Sequence, residues 1–441
     1  MRVPTTIFVF SVEGRIKPKM NPTRIGSLLW KRDLRSCIQI CARFSSAVPN
    51  NDSAIENGAN KQGRNGSSRK MWKAAEELAV FPPALLGTAG NKTEVIEFDK
   101  VFPDLVRMLT ETPPESIGSP SPPANRQYFG KVLQYNVASG KKNRGLATVL
   151  SYKMLAPPEE QTRENQLLAR IMGWCLEFFH ASLLVAQDTV DKAKHRRDRP
   201  SWHMVLQEDY GEKATAAAFN DAGLIKSGVY QILKTYFSKK PYYTDVMELF
   251  LEMSQRHNLG QCLDLEARAD KSMSMHTMER YMTIVRNKTA HHSFRGPVSL
   301  ALFMCGNRDQ ETHRQVKFIQ TEMAQFFQVQ SNFLDCFGDS KARRPGLDIQ
   351  QGKVTWLSVV ACQRASPQQL KLLQECYGQD DPEKVALVRD LYIDLELPFM
   401  YKIYGDHCYD LICNQIQQNT KNLPHKLFFK FMEKIYGRKR E

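Results

Sequence analysis

No CxxC pair occurs in this chain of 441 residues, although it has ten cysteines. Scattered thiols without a His or Cys cluster point to reduced cysteines in an intracellular protein, not to a disulfide framework or a zinc site. No run approaches the ~18–20 consecutive apolar residues that a membrane span requires. The stretch Ile7–Val12 is too short even for a secretory core. Walker, GxGxxG, HExxH and GxSxG motifs are all missing, which sets aside the common nucleotide-binding and hydrolase sites. There is no internal repeat to build a solenoid, and no alternating apolar pattern bounded by hairpin signals.

Apolar residues make up 42% and charged residues 24%, a globular balance. The formal charge is +14, yet the basic residues are spread out and carry no aromatic-basic recognition motif. That argues against nucleic acid and suits small anionic substrates such as diphosphates.

Residues 1–70 stand apart. In the opening stretch, 1–49, Arg2, Arg15, Lys17, Lys19, Arg24, Lys31, Arg32, Arg35 and Arg43 face only Glu13 and Asp33, and Asn50–Lys70 is rich in Asn, Gly and Ser. The segment reads as a disordered basic tail and linker, either a mitochondrial transit peptide or an untargeted cytoplasmic tail. The remainder, 71–441, reads as one catalytic domain. Within it Thr112–Asn125 holds five prolines and is expected to be a loop. From Leu146 onward, apolar residues recur at helical steps, as in Leu167, Ile171, Trp174 and Phe178, or Val385, Val388, Leu391 and Tyr392. The expected fold is all-α: a single large helical bundle.

Two acidic segments carry the chemistry. The first runs Gln187-Asp188-Thr189-Val190-Asp191 and is followed by Arg196-Arg197. Residues three and four apart share a helix face, so Asp188 and Asp191 are candidate Mg²⁺ ligands beside arginines able to fork onto phosphate. A solvated, salt-bridged helix face has the same pattern. The second ends an apolar helix with Asp335 and Asp339, acids that need a metal or a cation as partner.

In order along the chain stand Leu184-Val185-Ala186-Gln187-Asp188-x-x-Asp191, Leu259-Gly260-Gln261-x-x-Asp264-Leu265 and Lys288-Thr289-Ala290. They are followed by Phe327-Gln328-x-Gln330-x-x-x-Leu334-Asp335 and Gly346-x-Asp348-Ile349-Gln350. With these motifs residues 95–441 resemble the farnesyl diphosphate synthase family of trans-prenyltransferases. The resemblance implies an isoprenoid synthase bundle with a central cavity, a Mg²⁺ requirement, a prenyl diphosphate substrate and a homodimer. By match to the family's motifs, Asp188, Asp191, Asn332 and Asp335 would be metal ligands. Arg196, Lys288 and Lys353 would hold the allylic diphosphate, with Thr289 and Gln328 beside them; Lys288, Thr289 and Gln328 are the catalytic candidates. Lys141, Arg144 and Arg197 would hold isopentenyl diphosphate, with His180 where the family usually has glutamine.

The chain departs from the family's two DDxxD motifs at Gln187, Ser331 and Asn332. Ser182 and Leu183 stand where aromatic residues often close the chain-length pocket, so Ser182 is a candidate for contact with the prenyl tail. These departures favour a class I terpene synthase that ionises a farnesyl-type diphosphate to a sesquiterpene. The alternatives are a divergent synthase condensing isopentenyl diphosphate with an allylic diphosphate, and a non-catalytic partner subunit.

Overall fold

The computed structural model describes residues 92–111, 123–197, 199–338, 346–419 and 423–436, all within one compact unit. The basic segment 1–70 and most of the proline-rich stretch lie outside the described residues. Helices run in the order α1 (Lys92–Asp99), α2 (Phe102–Glu111), α3 (Pro123–Asn136), α4 (Asn143–Leu155) and α5 (Arg163–Val190). A two-residue strand pair follows, β1 (His195–Arg196) antiparallel to β2 (Arg199–Pro200). Then come α6 (Ala214–Phe237), α7 (Tyr243–Ala269), α8 (Met278–Val285), a π-helix (Arg286–Arg295) and α9 (Gly296–Met304). The chain continues through α10 (Gln310–Phe337), α11 (Trp356–Arg364), α12 (Pro367–Cys376), α13 (Pro382–Asp394), α14 (Leu397–Asn419) and α15 (His425–Tyr436). The all-α expectation holds. The expected loop does not extend to Asn125, because α3 begins at Pro123, where a missing N–H costs a helix nothing.

The central element is α5. Thr162 caps it by accepting a hydrogen bond from the Asn165 amide at 3.2 Å. By length and composition α5 could cross a membrane, but 89% of its most apolar window is buried inside the fold, so here it is a core helix. Trp174 is fully buried, stacks on Phe98 at 4.7 Å and donates its indole N–H to the Phe98 carbonyl at 2.7 Å, which satisfies its polar edge.

Helices α4 and α5 cross backbone to backbone. A Cβ at Gly173 would lie 2.7 Å from the Gly145 carbonyl oxygen, and one at Gly145 would lie 2.9 Å from that of Gly173. This crossing places Glu177 under the start of α4. Its Oε1 accepts from the Arg144 and Gly145 amides at 2.9 and 2.8 Å, a carboxylate at the positive end of a helix. The first turn of α4, and Arg144 with it, is thereby fixed.

Candidate functional site

One face of α5 carries the polar residues. Glu177, His180, Leu184, Asp188 and Asp191 follow one another at three- and four-residue steps and so line a single stripe. Ser182 sits six residues before Asp188, roughly 120° round the helix from it. It is buried and donates its hydroxyl to the Phe179 carbonyl at 2.7 Å.

At the upper end of the stripe the two acidic segments meet through the chain's own cations. Asp188 receives the Arg196 guanidinium in a fork, with Nε donating to both carboxylate oxygens at 2.9 and 3.0 Å. Asp191 accepts from Arg268 at 2.6 Å and pairs with Lys353 at 3.7 Å. Gln187, in the position of the missing aspartate, donates to Asp191 at 3.3 Å. Lys353 pairs in turn with Asp348 at 3.2 Å, and the Asp348 amide donates to Asp335 Oδ2 at 3.1 Å. The chain Asp191–Lys353–Asp348–Asp335 therefore joins the end of α5 to the end of α10. On the other side, Asp264 pairs with Arg268 at 2.5 Å and with Lys288 at 2.8 Å.

These are buried ions, and their state follows from their partners. Burial alone works against the charge of Asp191, but Lys353 and then Arg268 hold its carboxyl below the usual range. Burial likewise opposes the charge of Lys353, yet Asp348 and Asp191 together raise its ammonium pKa. Lys288 goes the other way: burial outweighs Asp264 and lowers it. Beside Lys288, Thr289 donates to Gln328 Oε1 at 3.0 Å, joining the π-helix to α10.

A second set of cations gathers at the start of α4 and the β1–β2 turn. Arg144 donates from Nε to Ser293 Oγ at 3.0 Å, and Ser293 Oγ lies 3.0 Å from His292 Nε2. Arg197 adopts φ 52°, a left-handed conformation rare for a side-chain-bearing residue. Its guanidinium folds onto Gly140, φ 111°, leaving no room for a Cβ there, and donates to the Ser139 carbonyl. Between the two sets lies a column of imidazoles. His180 stacks on His292 at 5.5 Å, and His257 meets the His292 ring edge-on at the same distance.

The structure thus links Asp191, Asp335, Lys353 and Lys288 through Arg268, Asp264 and Asp348, while Asp188–Arg196 and Thr289–Gln328 form separate pairs, next in sequence to Gln187 and Lys288. It places His180 on the α5 stripe one turn after Glu177, Arg144 at the α4 start above Glu177, and Arg197 in the β1–β2 turn against Ser139; Lys141 lies two residues before α4. Asn332 is more constrained than its sequence position suggests: Oδ1 accepts from the buried Tyr281 hydroxyl at 2.9 Å and Nδ2 donates to Asp348 at 3.0 Å. Tyr281 thus takes one of the two lone pairs of the oxygen a cation would use. Sequence reasoning missed Glu177, Arg268 and the pairing roles of Asp264 and Asp348. Glu177 lies on the same helical stripe as Asp188, and Arg268 follows Asp264 by one turn; those were the available signals.

The remaining donors are carboxylate oxygens, the ligand type a hard divalent cation takes. Among the described residues no three Asp, Glu, His or Cys groups converge to enclose a metal ion. A Mg²⁺ here would therefore complete its shell with phosphate and water, as that ion ordinarily does.

The polyprenyl synthetase family model matches residues 126–395. The farnesyl pyrophosphate synthase of Murgantia histrionica is 42% identical over 350 residues, covering 79% of this chain and 83% of that protein. That of Gallus gallus is 39% identical over 347 residues, 78% of this chain and 92% of its own. Among solved structures, the T. brucei farnesyl diphosphate synthase complexed with risedronate aligns with a TM-score of 0.72 at 25% identity. It covers 78% of this chain and 99% of that one.

Proposed function

Because the chain belongs to the polyprenyl synthetase family, we propose that this isoprenoid diphosphate enzyme is a prenyltransferase condensing isopentenyl diphosphate with an allylic diphosphate. The terpene synthase expectation is corrected: similar proteins, down to 34% identity, are named farnesyl pyrophosphate or farnesyl diphosphate synthases. The departures at Gln187, Ser331 and Asn332 do not outweigh a likeness that spans most of the chain.

The observation that carries the reading is two cation groupings with different partners: Arg196, Arg268, Lys288 and Lys353 pair with carboxylates, whereas Arg144 and Arg197 donate to Ser293 and to the Ser139 carbonyl. A condensation needs two diphosphates held apart; an ionisation of one substrate needs only the first set. Arg196, Lys288 and Lys353 hold the allylic diphosphate in this reading. Lys141, Arg144 and Arg197 hold isopentenyl diphosphate. Asp188, Asp191 and Asp335 would hold Mg²⁺, which when bound supplies positive charge against the leaving diphosphate. The allylic C–O bond breaks with its electron pair leaving on the diphosphate. The isopentenyl double bond supplies the pair for the new C–C bond, and the adjacent carbon gives its proton to the released diphosphate. Thr289 and Gln328 orient the Lys288 end of the site beside the cation that forms.

Purified protein with Mg²⁺, isopentenyl diphosphate and a ten-carbon allylic starter is expected to make the fifteen-carbon diphosphate. A chain beginning at residue 71 is expected to do the same, since 1–70 lacks the apolar content of a core. Hydrocarbon formed from farnesyl diphosphate alone, with no condensation, would refute this reading. Arg144→Ala should raise KM for isopentenyl diphosphate ~10- to 100-fold, the worth of one charge-assisted hydrogen bond, with the allylic KM nearly unchanged.

Ser182 is read as the floor of the chain-length pocket. Ser182→Phe is then expected to shift products several-fold towards the ten-carbon diphosphate, seen by chromatography of the dephosphorylated products. Its burial predicts an overpacking cost of ~1–3 kcal/mol as well. A lowered Tm with unchanged product length would leave only the packing role. A homodimer and mitochondrial targeting by 1–70 belong to the same proposal; sedimentation and a reporter-import assay test them.

A further inference from the structure

His180 is a buried imidazole whose Nδ1 has no hydrogen-bond partner. The charged and titratable groups around it come from four elements. His292 of the π-helix stacks on it and His257 of α7 meets the His292 ring; His292 connects through Ser293 to Arg144 at the start of α4, and the positive charges of Arg144, Arg197 and Arg196 act on the His180 ring. On its own helix Glu177 stands one turn back, its carboxylate committed to the α4 amides. His292 differs in that its Nε2 is engaged by Ser293. His180 is therefore a buried proton acceptor under the positive charge of Arg144, Arg197 and Arg196.

Resting on the two-diphosphate reading above, we propose that His180 takes up a proton when isopentenyl diphosphate binds at Arg144 and Arg197. A neutral ring then becomes a cationic donor of that site. In the free protein burial, followed by Arg144, His292, Arg197 and Arg196, keeps the ring neutral at physiological pH. A bound diphosphate reverses the local field. A single negative charge ~6 Å away, at an effective dielectric of ~20, raises an imidazole pKa by about two units, and a diphosphate carries more than one charge. The stack with His292 gives the new charge a polarisable neighbour. A glutamine at this position would donate a hydrogen bond but hold no proton, so the histidine adds a pH-dependent component to binding.

The sign is fixed by linkage. A group whose pKa rises on binding takes up a proton, and affinity strengthens as pH falls below the bound pKa. Isothermal titration of the full-length protein with isopentenyl diphosphate, near pH 7, constant Mg²⁺ and in buffers of different ionisation heat, counts the protons. The wild type should take up about one more proton per ligand than His180→Gln, and its affinity should gain up to about tenfold more per unit fall in pH. Histidine-ring nitrogen NMR on the wild type gives the same answer should His180→Gln fail to fold: one ring must become imidazolium as ligand is added. Binding without proton uptake overturns the proposal and leaves the two-diphosphate reading standing. So does uptake that persists in a folded His180→Gln, because the proton then resides elsewhere. Absence of any binding overturns both.

Discussion

Asp191→Ala is expected to reduce turnover at least about a hundredfold and to lower Tm by several degrees. The two losses have different origins. Asp191 is the carboxylate through which α5, Arg268 and Lys353 are joined, and it is a proposed Mg²⁺ ligand. Removing a group that positions charge at a reacting diphosphate ordinarily costs ~10²–10³ in rate. Breaking a buried pair by deleting one partner costs ~3–5 kcal/mol when the survivor is left unpaired. Here neither survivor is orphaned: Arg268 keeps Asp264 and Lys353 keeps Asp348. The stability loss should therefore fall below that range, ~2–3 kcal/mol. Asp191→Asn keeps the shape and should lose nearly as much rate. The pH dependence separates the charge from the packing. The native carboxyl has a lowered pKa, so its stabilisation is present above ~4 and disappears as pH falls through the native value. Thermal melts at acid pH should show that slope reduced in Asp191→Asn. A variant with wild-type turnover would remove Asp191 from the site.

Gly260→Val is the second large effect, at a residue that touches no substrate. A Cβ at Gly260 would lie 2.7 Å from Lys288 Cγ, 2.9 Å from Asn287 Cβ and 3.1 Å from the Lys288 amide nitrogen. The first can swing away; the last is backbone and cannot move without the π-helix. Helix propensity favours alanine over glycine by ~1 kcal/mol, which offsets only part of the clash, so Gly260→Ala should be destabilised, though less than Gly260→Val. Valine adds two methyl groups to a space with no room for one, and ~2–3 kcal/mol of destabilisation is expected. The displaced π-helix also carries Lys288 off Asp264, so the allylic KM should rise by about tenfold or more. Comparison with Lys288→Ala distinguishes the causes: that variant should share the kinetic defect without the full loss in Tm. Gly260→Val with unchanged Tm would mean that the two helices part easily.

Much of the site was legible because short-range chemistry marks it. Asp188 and Asp191 are one turn apart, and Lys288-Thr289 and Gln328 lie in recognisable strings. What stayed hidden depends on helices crossing. Arg268 meets Asp191 across 77 residues of sequence, and nothing local to either announces the pair. Glu177 reads as one acid among apolar neighbours until the Gly145–Gly173 crossing brings the α4 amides down onto it. Asn332 sits in a metal-motif position, and only the fold shows Tyr281 holding its oxygen. The functional inference failed for a related reason. Three neutral residues in acidic motifs were given more weight than the surviving cations, whose two separate groupings are a property of the folded chain.

The π-helix gives one stretch of this enzyme an unusual kind of specification. From Arg286 to Arg295 the backbone is wound more loosely than its neighbours, so that the Gly296 amide reaches back five residues to the His291 carbonyl. Such a turn holds one more residue than the α-turn it replaces. Deleting a single residue would allow the segment to close as ordinary α-helix, with α8 and α9 intact and no core side chain lost. The penalty would be rotational, since one residue corresponds to about 100° of helix. Lys288 and Thr289 upstream would no longer share an alignment with His292 and Ser293 downstream. In this segment the number of residues is itself under constraint. A lineage could exchange most of the side chains here and keep the catalytic phase, yet lose it to one in-frame codon.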